Sequence, residues 1–448
     1  MSTRPLPWYR ELTRYHWFVF IVAALGWLFD TMDQQLFNLA RISAMRELLP
    51  GSEDGGPPSA KMITEYAGHA TAIFMIGWAS GGLVFGILGD RIGRARTMLL
   101  TILIYSLFTG LSALSIGFYD FAVYRFLTGL GVGGEFAVGV TLVAEVMPPR
   151  ARPFALGLLQ ALSAVGNIAA AVVSMVLGQI EQSAAVGNLW RVMFVVGAVP
   201  ALLVVYVRRR LKEPERWQEA RSGSVQLGSM RELFAEPRWR RNAIVGLLLA
   251  TSGVIGLWGI GFFSFDLFQS VFRKKFEADG VDPALIDGKL KYWVGITSVM
   301  QNIGGFLGIY AFSRLTHIIG RRPTFAVSFV AAMLSTALVF SSLNEFSQIF
   351  WMIPLMGFCQ LSLFGGYAIY FPELFPTRLR STGTSFCYNV GRFLAAAGPY
   401  TFGMLSSRVF ASYDEPMRYA GVSMCAVFLL GLVILPFAPE TRNQPLPE

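Results

Sequence analysis

Twelve long apolar runs dominate the chain, and they decide what it can fold into. A transmembrane helix needs about 20 consecutive apolar residues, and each run reaches that length. Twelve such helices account for roughly 240 residues, so the connections are short. The runs lie near residues 16–40, 66–88, 98–117, 120–144, 153–180, 188–207, 242–271, 292–313, 324–343, 347–371, 382–405 and 418–437. We therefore predict an all-α integral membrane protein with twelve transmembrane helices.

The composition argues against a soluble protein. Only 15% of the 448 residues are charged and 54% are hydrophobic, whereas a soluble domain carries about 25% charged residues. The net charge of +9 is compatible with nucleic-acid binding, but the basic residues lie in short gaps between apolar runs. There they indicate membrane topology and contact with anionic lipid. We expect membrane lipid as a partner and no nucleic acid.

The cysteines and histidines do not form the pattern of a metal or catalytic centre. Cys359, Cys387 and Cys425 lie within apolar runs, and their spacing fits neither a disulfide framework nor a metal site. The three histidines are scattered among different segments. We predict no metal, no cofactor and no enzymatic activity. A membrane receptor would be expected to carry a soluble signalling domain, and the sequence shows none.

Two sequence landmarks recur at the same offset, which indicates an internal repeat. The recurrences are Gly93-Arg94 as Gly320-Arg321, 227 residues later, and Glu145–Arg152 as Glu373–Arg380, 228 residues later. Both copies of each landmark lie on one side of the membrane, so each half holds an even number of spans, and six fits. We predict two parallel six-helix bundles, over 1–207 and 242–448, joined by a basic cytoplasmic linker over 208–241.

The distribution of Lys and Arg predicts the orientation, because cytoplasmic connections carry an excess of both. The connections on one side contain Arg91, Arg150, Arg314 and Arg378, and residues 208–241 add ten basic residues. The connections on the other side are more acidic. We therefore expect both termini in the cytoplasm and the chain in the cell membrane, as a monomer.

The loop Gly86–Arg96 combines glycines with an acid and several arginines. Glycine allows a sharp turn and close helix packing, and Asp90 could pair across the cytoplasmic face in one conformation and be released in another. The alternative is a basic turn that only sets topology, but such a turn needs neither the acid nor the glycine spacing. The predicted gating residues are Gly86, Asp90, Arg91, Gly93, Arg94, Glu145, Arg152, Gly320, Arg321, Glu373 and Arg380.

The fourth span contains two charged residues among glycines. Arg125 and Glu135 each cost about 2.5–3.5 kcal/mol in lipid, so they are expected to face an aqueous cavity. They are ten residues apart and cannot touch. Arg125 is either a substrate contact or a hydrogen-bond hub between helices. Glu135 is either a protonatable site or a buried packing carboxyl.

Four polar residues share one face of the first span: Asp30, Asp33, Gln34 and Asn38. Two carboxylates one turn apart in a medium of low dielectric constant cannot both stay ionised at low cost, which is the physics of a proton carrier. We therefore predict that Asp30, Asp33 and Glu135 couple transport to protons. The alternative is a hydrated pair at the outer mouth.

Further polar residues lie within the other spans. Arg392 has no acid near it in its own helix, and a cation near the midplane suits an anionic substrate. The alternative is a structural partner from another helix, such as Asp266, or a backbone carbonyl. The predicted substrate-binding residues are Arg125, Gln34, Asn38, Gln160, Asn167, Gln301, Asn302, Asn389, Arg392 and Tyr367.

These motifs resemble the major facilitator superfamily over nearly the whole chain. The Gly86–Arg96 loop, the glycine-rich fourth span and the repeated Glu/Arg landmarks look like its signature motifs. The segments Leu211–Trp217 and Pro439–Arg442 are similar to its sugar-porter-like branch. Asp30-Thr-Met-Asp33 resembles an element of aromatic-acid/proton symporters, although a threonine replaces the glycine. His317 departs from the pattern, because it stands where the first half has Asp90.

The segments Gly133–Glu135 and Tyr388–Arg392 look more like sialate, lactate and other metabolite/proton symporters. The resemblance implies alternating access to a central site between the bundles. We expect a secondary active transporter that moves an organic acid anion together with a proton. A sugar or other neutral solute, or an exported compound, is the alternative with the same fold.

The topology is open to a direct test. A reporter fused after residue 215 should report the cytoplasm, and one fused near Asp282 should report the outside, because basic connections stay inside. The reverse pattern of reporter activity would overturn the predicted orientation.

Overall fold

A computed structural model describes residues 7–51, 58–184, 189–207, 209–223, 226–395 and 397–448. Within these ranges the regular structure is entirely helical. Residues 1–6 of the predicted first bundle and residues 208, 224 and 225 of the predicted linker lie outside them.

Six membrane-crossing segments form the first half. Spans 1 to 5 are single helices, and span 6 is interrupted before Pro200, whose ring removes a backbone donor. The bounds are Arg14–Leu48, Ala60–Arg91, Arg94–Ser112, Phe118–Val146, Arg152–Ala184, and Trp190–Gly197 with Pro200–Val207 for span 6.

Six further segments form the second half, as predicted. Spans 7 and 11 are irregular, because π-helical turns interrupt them at Ile255–Gly261, Phe386–Val390 and Leu405–Val409. The bounds are Pro237–Ala278 for span 7, Pro283–Ile319 for span 8, Arg321–Ser342 for span 9, Ile349–Tyr370 for span 10, 380–409 for span 11, and Pro416–Met424 with Val427–Ile434 for span 12. Two short helices, Glu215–Ser222 and Met230–Ala235, lie in the connection between the halves.

Hydropathy supports these segments. Nine helical stretches of the described residues are long and apolar enough to cross a membrane. Span 1 runs well past the apolar run predicted for it, because the helix continues through polar residues to Leu48.

Small residues bring helices into backbone contact within each bundle. A side-chain carbon at Gly129 or Gly133 would overlap the backbone carbonyl oxygens of Phe74 or Trp78 in span 2. Spans 2 and 4 therefore approach as closely as the glycine spacing predicts. The same packing recurs between spans 8 and 10, at the contacts Gly304–Pro354 and Gly308–Phe358.

The two bundles meet along two seams. Spans 2 and 4 pack against span 11, and span 5 packs against spans 8 and 10. We use the name basic face for the membrane face that carries the Gly86–Arg96 loop, the two connecting helices and residues 438–448. Trp217 of the first connecting helix donates a 2.7 Å hydrogen bond to the Asp90 carbonyl oxygen there.

The glycine contacts should limit stability. We expect Gly81→Ala to destabilise the protein by about 1–3 kcal/mol, because the added methyl would overlap the backbone oxygen of Leu130. The matched control is Gly68→Ala on the same span, where a methyl group meets no atom within 4 Å. Thermal unfolding of the purified variants in detergent measures the effect, and equal midpoints would contradict this packing.

Candidate functional site

A buried chain of charges joins the bundles at the basic face. Arg94 contacts Asp90 at 3.0 Å and Glu145 at 3.0 Å, all within the first bundle. Glu145 in turn contacts Arg380 of span 11 at 2.6 Å. All four side chains are buried. Because each charge has a partner of opposite sign, the cluster can be buried between the bundles without leaving an uncompensated charge.

Asp90 also binds the start of span 11. Its carboxylate accepts hydrogen bonds from the backbone N–H groups of Ser381 and Thr382, at 3.1 and 2.8 Å, and from the Thr382 hydroxyl at 2.6 Å. The first N–H groups of a helix have no partner within the helix and attract negative charge. The predicted gating residue Asp90 therefore contacts the other bundle directly. Arg91 lies at the exposed edge of the loop and donates to the Leu227 carbonyl oxygen.

The second half repeats this arrangement only in part. Arg321 pairs with Glu373 at 2.7 Å, as Arg94 does with Glu145. His317 stands in the position of Asp90, and its ring lies 5.4 Å from the ring of Phe154 in span 5. The seam between spans 5 and 8 is thus aromatic where the seam between spans 2 and 11 is ionic.

Two glutamates cap the helices that follow the loops. Glu213 accepts hydrogen bonds from the backbone of Ala95 and Arg96, and Glu440 does the same for Arg321 and Arg322. Burial acts to raise the pKa of Glu440, but the backbone donors outweigh it and hold that pKa below its ordinary value.

The glycine before each capped helix has a conformational role. Gly93 has φ 115° and Gly320 has φ 98°, a region in which a side chain is strained. A side-chain carbon at either position would also press on the capping glutamate. The remaining predicted gating residues lie close by: Gly86 accepts from Thr382 at 3.5 Å, and Arg152 donates to the Ala144 carbonyl oxygen at 2.8 Å.

Arg125 and Asp33 lie together inside the first bundle. The guanidinium Nη1 is 4.0 Å from an Asp33 oxygen, and the other Asp33 oxygen accepts from Thr109 at 2.8 Å. Arg125 also donates to Ser112 at 2.7 Å and to Thr128 at 3.1 Å. Three aromatic rings surround the guanidinium, those of Phe37, Phe121 and Phe194. Arg125 thus has the contacts of a hydrogen-bond hub, one of the two roles predicted for it.

Asp30 and Glu135 form a different kind of pair. Both side chains are completely buried, and none of their four oxygens has a hydrogen-bond partner among the described residues. Glu135 packs against Gly26, one turn before Asp30, and the two carboxyls lie within electrostatic range of each other. Buried carboxylates without partners are costly, so this pair favours binding a proton or a ligand.

Arg392 of span 11 faces these carboxyls from the second bundle. Its guanidinium lies over the ring of Trp78 at 3.6 Å and over that of Tyr388 at 4.5 Å. Its Nε and Nη1 groups are buried and have no acceptor among the described residues. Asp30 is within electrostatic range, but Arg392 makes no ion pair within 4 Å in the described structure. Asp266, the structural partner considered from sequence, is therefore not bonded to it.

Several predicted amides lie on the seams between the bundles. Asn167 donates to Asn302 across spans 5 and 8 at 3.0 Å, and Asn389 donates to the Gly133 carbonyl oxygen at 3.4 Å. Gln34 and Gln160 each have one buried side-chain atom without a hydrogen-bond partner in the described chain. Asn38 donates a hydrogen bond to Gln35, and Gln301 is buried.

Tyr367, a predicted substrate-binding residue, lies within the packing of the second bundle. Its side chain is fully buried in the second bundle, its hydroxyl donates to the Leu249 carbonyl oxygen at 2.7 Å, and its ring stacks on Phe371. These contacts fit the packing role that is common for aromatic residues in such a span, and its role in substrate binding stays a prediction.

Sequence reasoning missed the aromatic residues of the site. Phe136 stacks on Tyr388 across the bundles at 4.1 Å and lies 4.7 Å from the Trp27 ring. Trp27 Nε1 is buried with no acceptor in the described chain. The available signal was weak, because aromatic residues occur throughout the apolar runs and nothing in their spacing separates these from the others.

Asp90 should control opening of the basic face. We expect Asp90→Asn to lower the transport rate while membrane insertion stays normal, because it removes charge-assisted hydrogen bonds to span 11 worth roughly tenfold or more in an equilibrium. The control is Arg96→Gln, since the Arg96 side chain is exposed in the same loop. Uptake per molecule of reconstituted protein measures the effect, and equal turnover in Asp90→Asn would reduce the loop to a topology signal.

Known proteins resemble this chain over most of its length. The family profile described as Sugar (and other) transporter matches residues 20–228 and 245–443. The chain is 30% identical over 439 residues to a probable 4-methylmuconolactone transporter of Cupriavidus pinatubonensis, covering 97% of this chain and 93% of the relative. It is 29% identical over 432 residues to the cis,cis-muconate transport protein of Acinetobacter baylyi, covering 95% of each. The sialic acid transporter NanX of Escherichia coli is 28% identical over 427 residues, covering 94% and 92%.

The fold matches solved transporter structures as well. The proton:xylose symporter XylE, bound to 6-bromo-6-deoxy-D-glucose, superposes with a TM-score of 0.75 at 16% identity, covering 96% of this chain and 98% of that one. FucP in the outward conformation gives a TM-score of 0.68 at 13% identity, covering 95% and 99%. Since the family profile covers most of the chain and the relatives nearly all of it, the chain belongs to the sugar (and other) transporter family of the major facilitator superfamily, whose members here are multi-pass membrane transporters and not enzymes.

Proposed function

We propose that the protein is a secondary active transporter that moves an organic acid anion together with a proton. The proposal rests on one arrangement at the bundle interface, where Arg392 faces Asp30 and Glu135. Two buried N–H groups of Arg392 have no acceptor, and the oxygens of both acids have no donor, among the described residues. A substrate carboxylate would satisfy the arginine, and protons would satisfy the acids.

The same geometry explains how the two could be coupled. With the site empty, a charged Asp30 is attracted by Arg392 and repelled by Glu135 and Asp33. An anion on Arg392 would compensate that cation and add a further negative charge, so the carboxyls would then favour their protonated form. Substrate and proton would therefore promote each other's binding, which favours a carrier loaded with both.

The relatives support an organic acid as substrate. The proteins similar over nearly the whole chain include those named for transport of cis,cis-muconate and sialic acid, which are both organic acids. The buried amide atoms of Gln34, Gln160 and Asn389 favour a second candidate, a neutral hydroxylated solute, because they offer hydrogen bonds without charge.

We further propose that the basic face is cytoplasmic, with both termini inside and the chain in the cell membrane as a monomer. The bundles would then be 1–207 and 242–448, with 208–241 as the cytoplasmic linker. The Arg380–Glu145 ion pair joins the bundles at this face, so under this proposal the structure would be a state closed toward the cytoplasm. Alternating access would require Asp90 and Glu145 to separate from span 11.

Transport assays distinguish the candidates. The purified protein would be reconstituted in liposomes and offered radiolabelled carboxylates and sugars, with and without an inward proton gradient. Accumulation of a carboxylate that requires the gradient supports the proposal. Gradient-independent uptake would indicate a facilitator or another coupling ion, and uptake of sugars alone would favour the neutral-solute candidate.

Arg392 should set affinity for the anion. We expect Arg392→Ala to raise the KM for a transported carboxylate roughly ten- to hundredfold, as expected for loss of a charged hydrogen bond. Arg392→Lys should recover only part of this, because a point charge matches a carboxylate less well than a guanidinium does. Arg408→Ala, at an exposed position of span 11, is the matched control. An unchanged KM in Arg392→Ala would make the arginine structural.

Asp33 should affect coupling more than binding. We expect Asp33→Asn to abolish uphill uptake driven by a proton gradient, because it removes a negative charge that acts on Asp30 from one helical turn away. Downhill exchange of labelled substrate should persist, because Asp33 contacts Arg125 and no group of the second bundle in the described structure. The two assays are compared on the same reconstituted samples. Intact uphill uptake would remove Asp33 from the coupling machinery.

A further inference from the structure

An apolar groove runs along the lipid-facing side of the second bundle. It encloses about 360 Å³ between spans 8, 9 and 10, in the half of the membrane next to the basic face. Its walls include Phe312, Val327 and Phe358, and almost all of its surface is apolar. A groove of this kind opening to hydrocarbon suits an acyl chain.

A cluster of cations lies at the end of the groove nearest the basic face. Arg314 lines the groove and lies in the helical turn before His317, and Arg150, Arg321 and Arg442 are also within electrostatic range of that histidine. Carboxylates of Glu11, Glu373 and Glu440 offset part of this charge, and the remaining positive charge is attractive to a phosphate group.

Two of these arginines lack a carboxylate. Arg150 pairs with Glu11 and Arg321 pairs with Glu373. Arg314 contacts only the Tyr310 hydroxyl, at 2.9 Å, and aromatic rings, while the Arg442 side chain makes no salt bridge with a described residue. In the first bundle the equivalent position is Asp90, which supplies the negative charge itself. In the second bundle His317 stands at the position of Asp90, so the residue at that position supplies no negative charge.

We propose that this place is a binding site for an anionic phospholipid, a role separate from solute transport. One acyl chain would occupy the groove, and the phosphate would lie against Arg314 and Arg442. Phe154 of the first bundle packs against both Arg314 and His317, at 5.3 and 5.4 Å. The phosphate of the lipid would therefore lie beside the seam between spans 5 and 8, and it would add there the negative charge that Asp90 provides at the other seam.

The test uses the full chain in detergent, titrated with phosphatidylglycerol or phosphatidylcholine and followed by native mass spectrometry. We expect preferential retention of phosphatidylglycerol. Arg314→Gln should weaken it about fivefold, the typical contribution of one arginine near an anionic lipid, and Arg314→Lys should preserve it. His317→Asp should also weaken it, because the new carboxylate would take the place of the phosphate. Arg238→Gln, a basic-face arginine outside the groove, should leave it unchanged.

Three results would overturn the proposal. Equal retention of the two lipids by the parent protein would show that the site has no charge preference. Unchanged preference in Arg314→Gln, with a normal thermal midpoint, would place the lipid elsewhere. If millimolar inorganic phosphate displaced phosphatidylglycerol completely, or bound equally well without lipid, the cluster would be a site for free phosphate.

Discussion

Hydrocarbon offers no hydrogen-bond partner to a charged side chain, and the arrangement of this protein follows from that constraint. Arg94, Arg125, Glu135 and Arg380 would each be costly in contact with lipid, and each is buried within a bundle or between the two. The glycine contacts between spans 2 and 4 and between spans 8 and 10 make the bundles compact enough to enclose them. The charged groups then divide into those that find partners and those that do not.

The partnered charges hold the closed face together. Asp90, Arg94, Glu145 and Arg380 compensate one another across the bundle interface, so they can be buried together while the bundles touch. Separation of the bundles would expose them to water, where ions are well solvated. Hydration of the ions would therefore offset part of the free energy that is lost when the cluster opens. An apolar seam has no such compensation, because it is stabilised only while it excludes water.

The unpartnered charges lie nearer the centre. Asp30, Glu135 and the free N–H groups of Arg392 retain unused hydrogen-bonding capacity, and rings of Trp78 and Tyr388 hold the guanidinium in place. The proposed function uses this contrast: the partnered charges are assigned to a gate, which must be complete by itself, and the unpartnered ones to a binding site, which must be incomplete without its ligand. The two bundles also differ, because His317 and Phe154 replace the ionic contact of Asp90 with an aromatic one.

Much of this follows from the sequence alone. Run length and hydropathy determine the twelve helices, the repeated landmarks determine two parallel halves, and the cost of charge in lipid singles out Asp30, Asp33, Arg125, Glu135 and Arg392. Helical spacing places residues only on the face of their own helix, so it could not decide which charges pair. The tertiary structure decided that Arg125 contacts Asp33 while Arg392 forms no ion pair with a described residue, that Asp90 binds the backbone of span 11, and that the Tyr367 hydroxyl binds the Leu249 carbonyl oxygen. These outcomes depend on contacts between residues 92 to 292 positions apart, and no local pattern encodes such contacts.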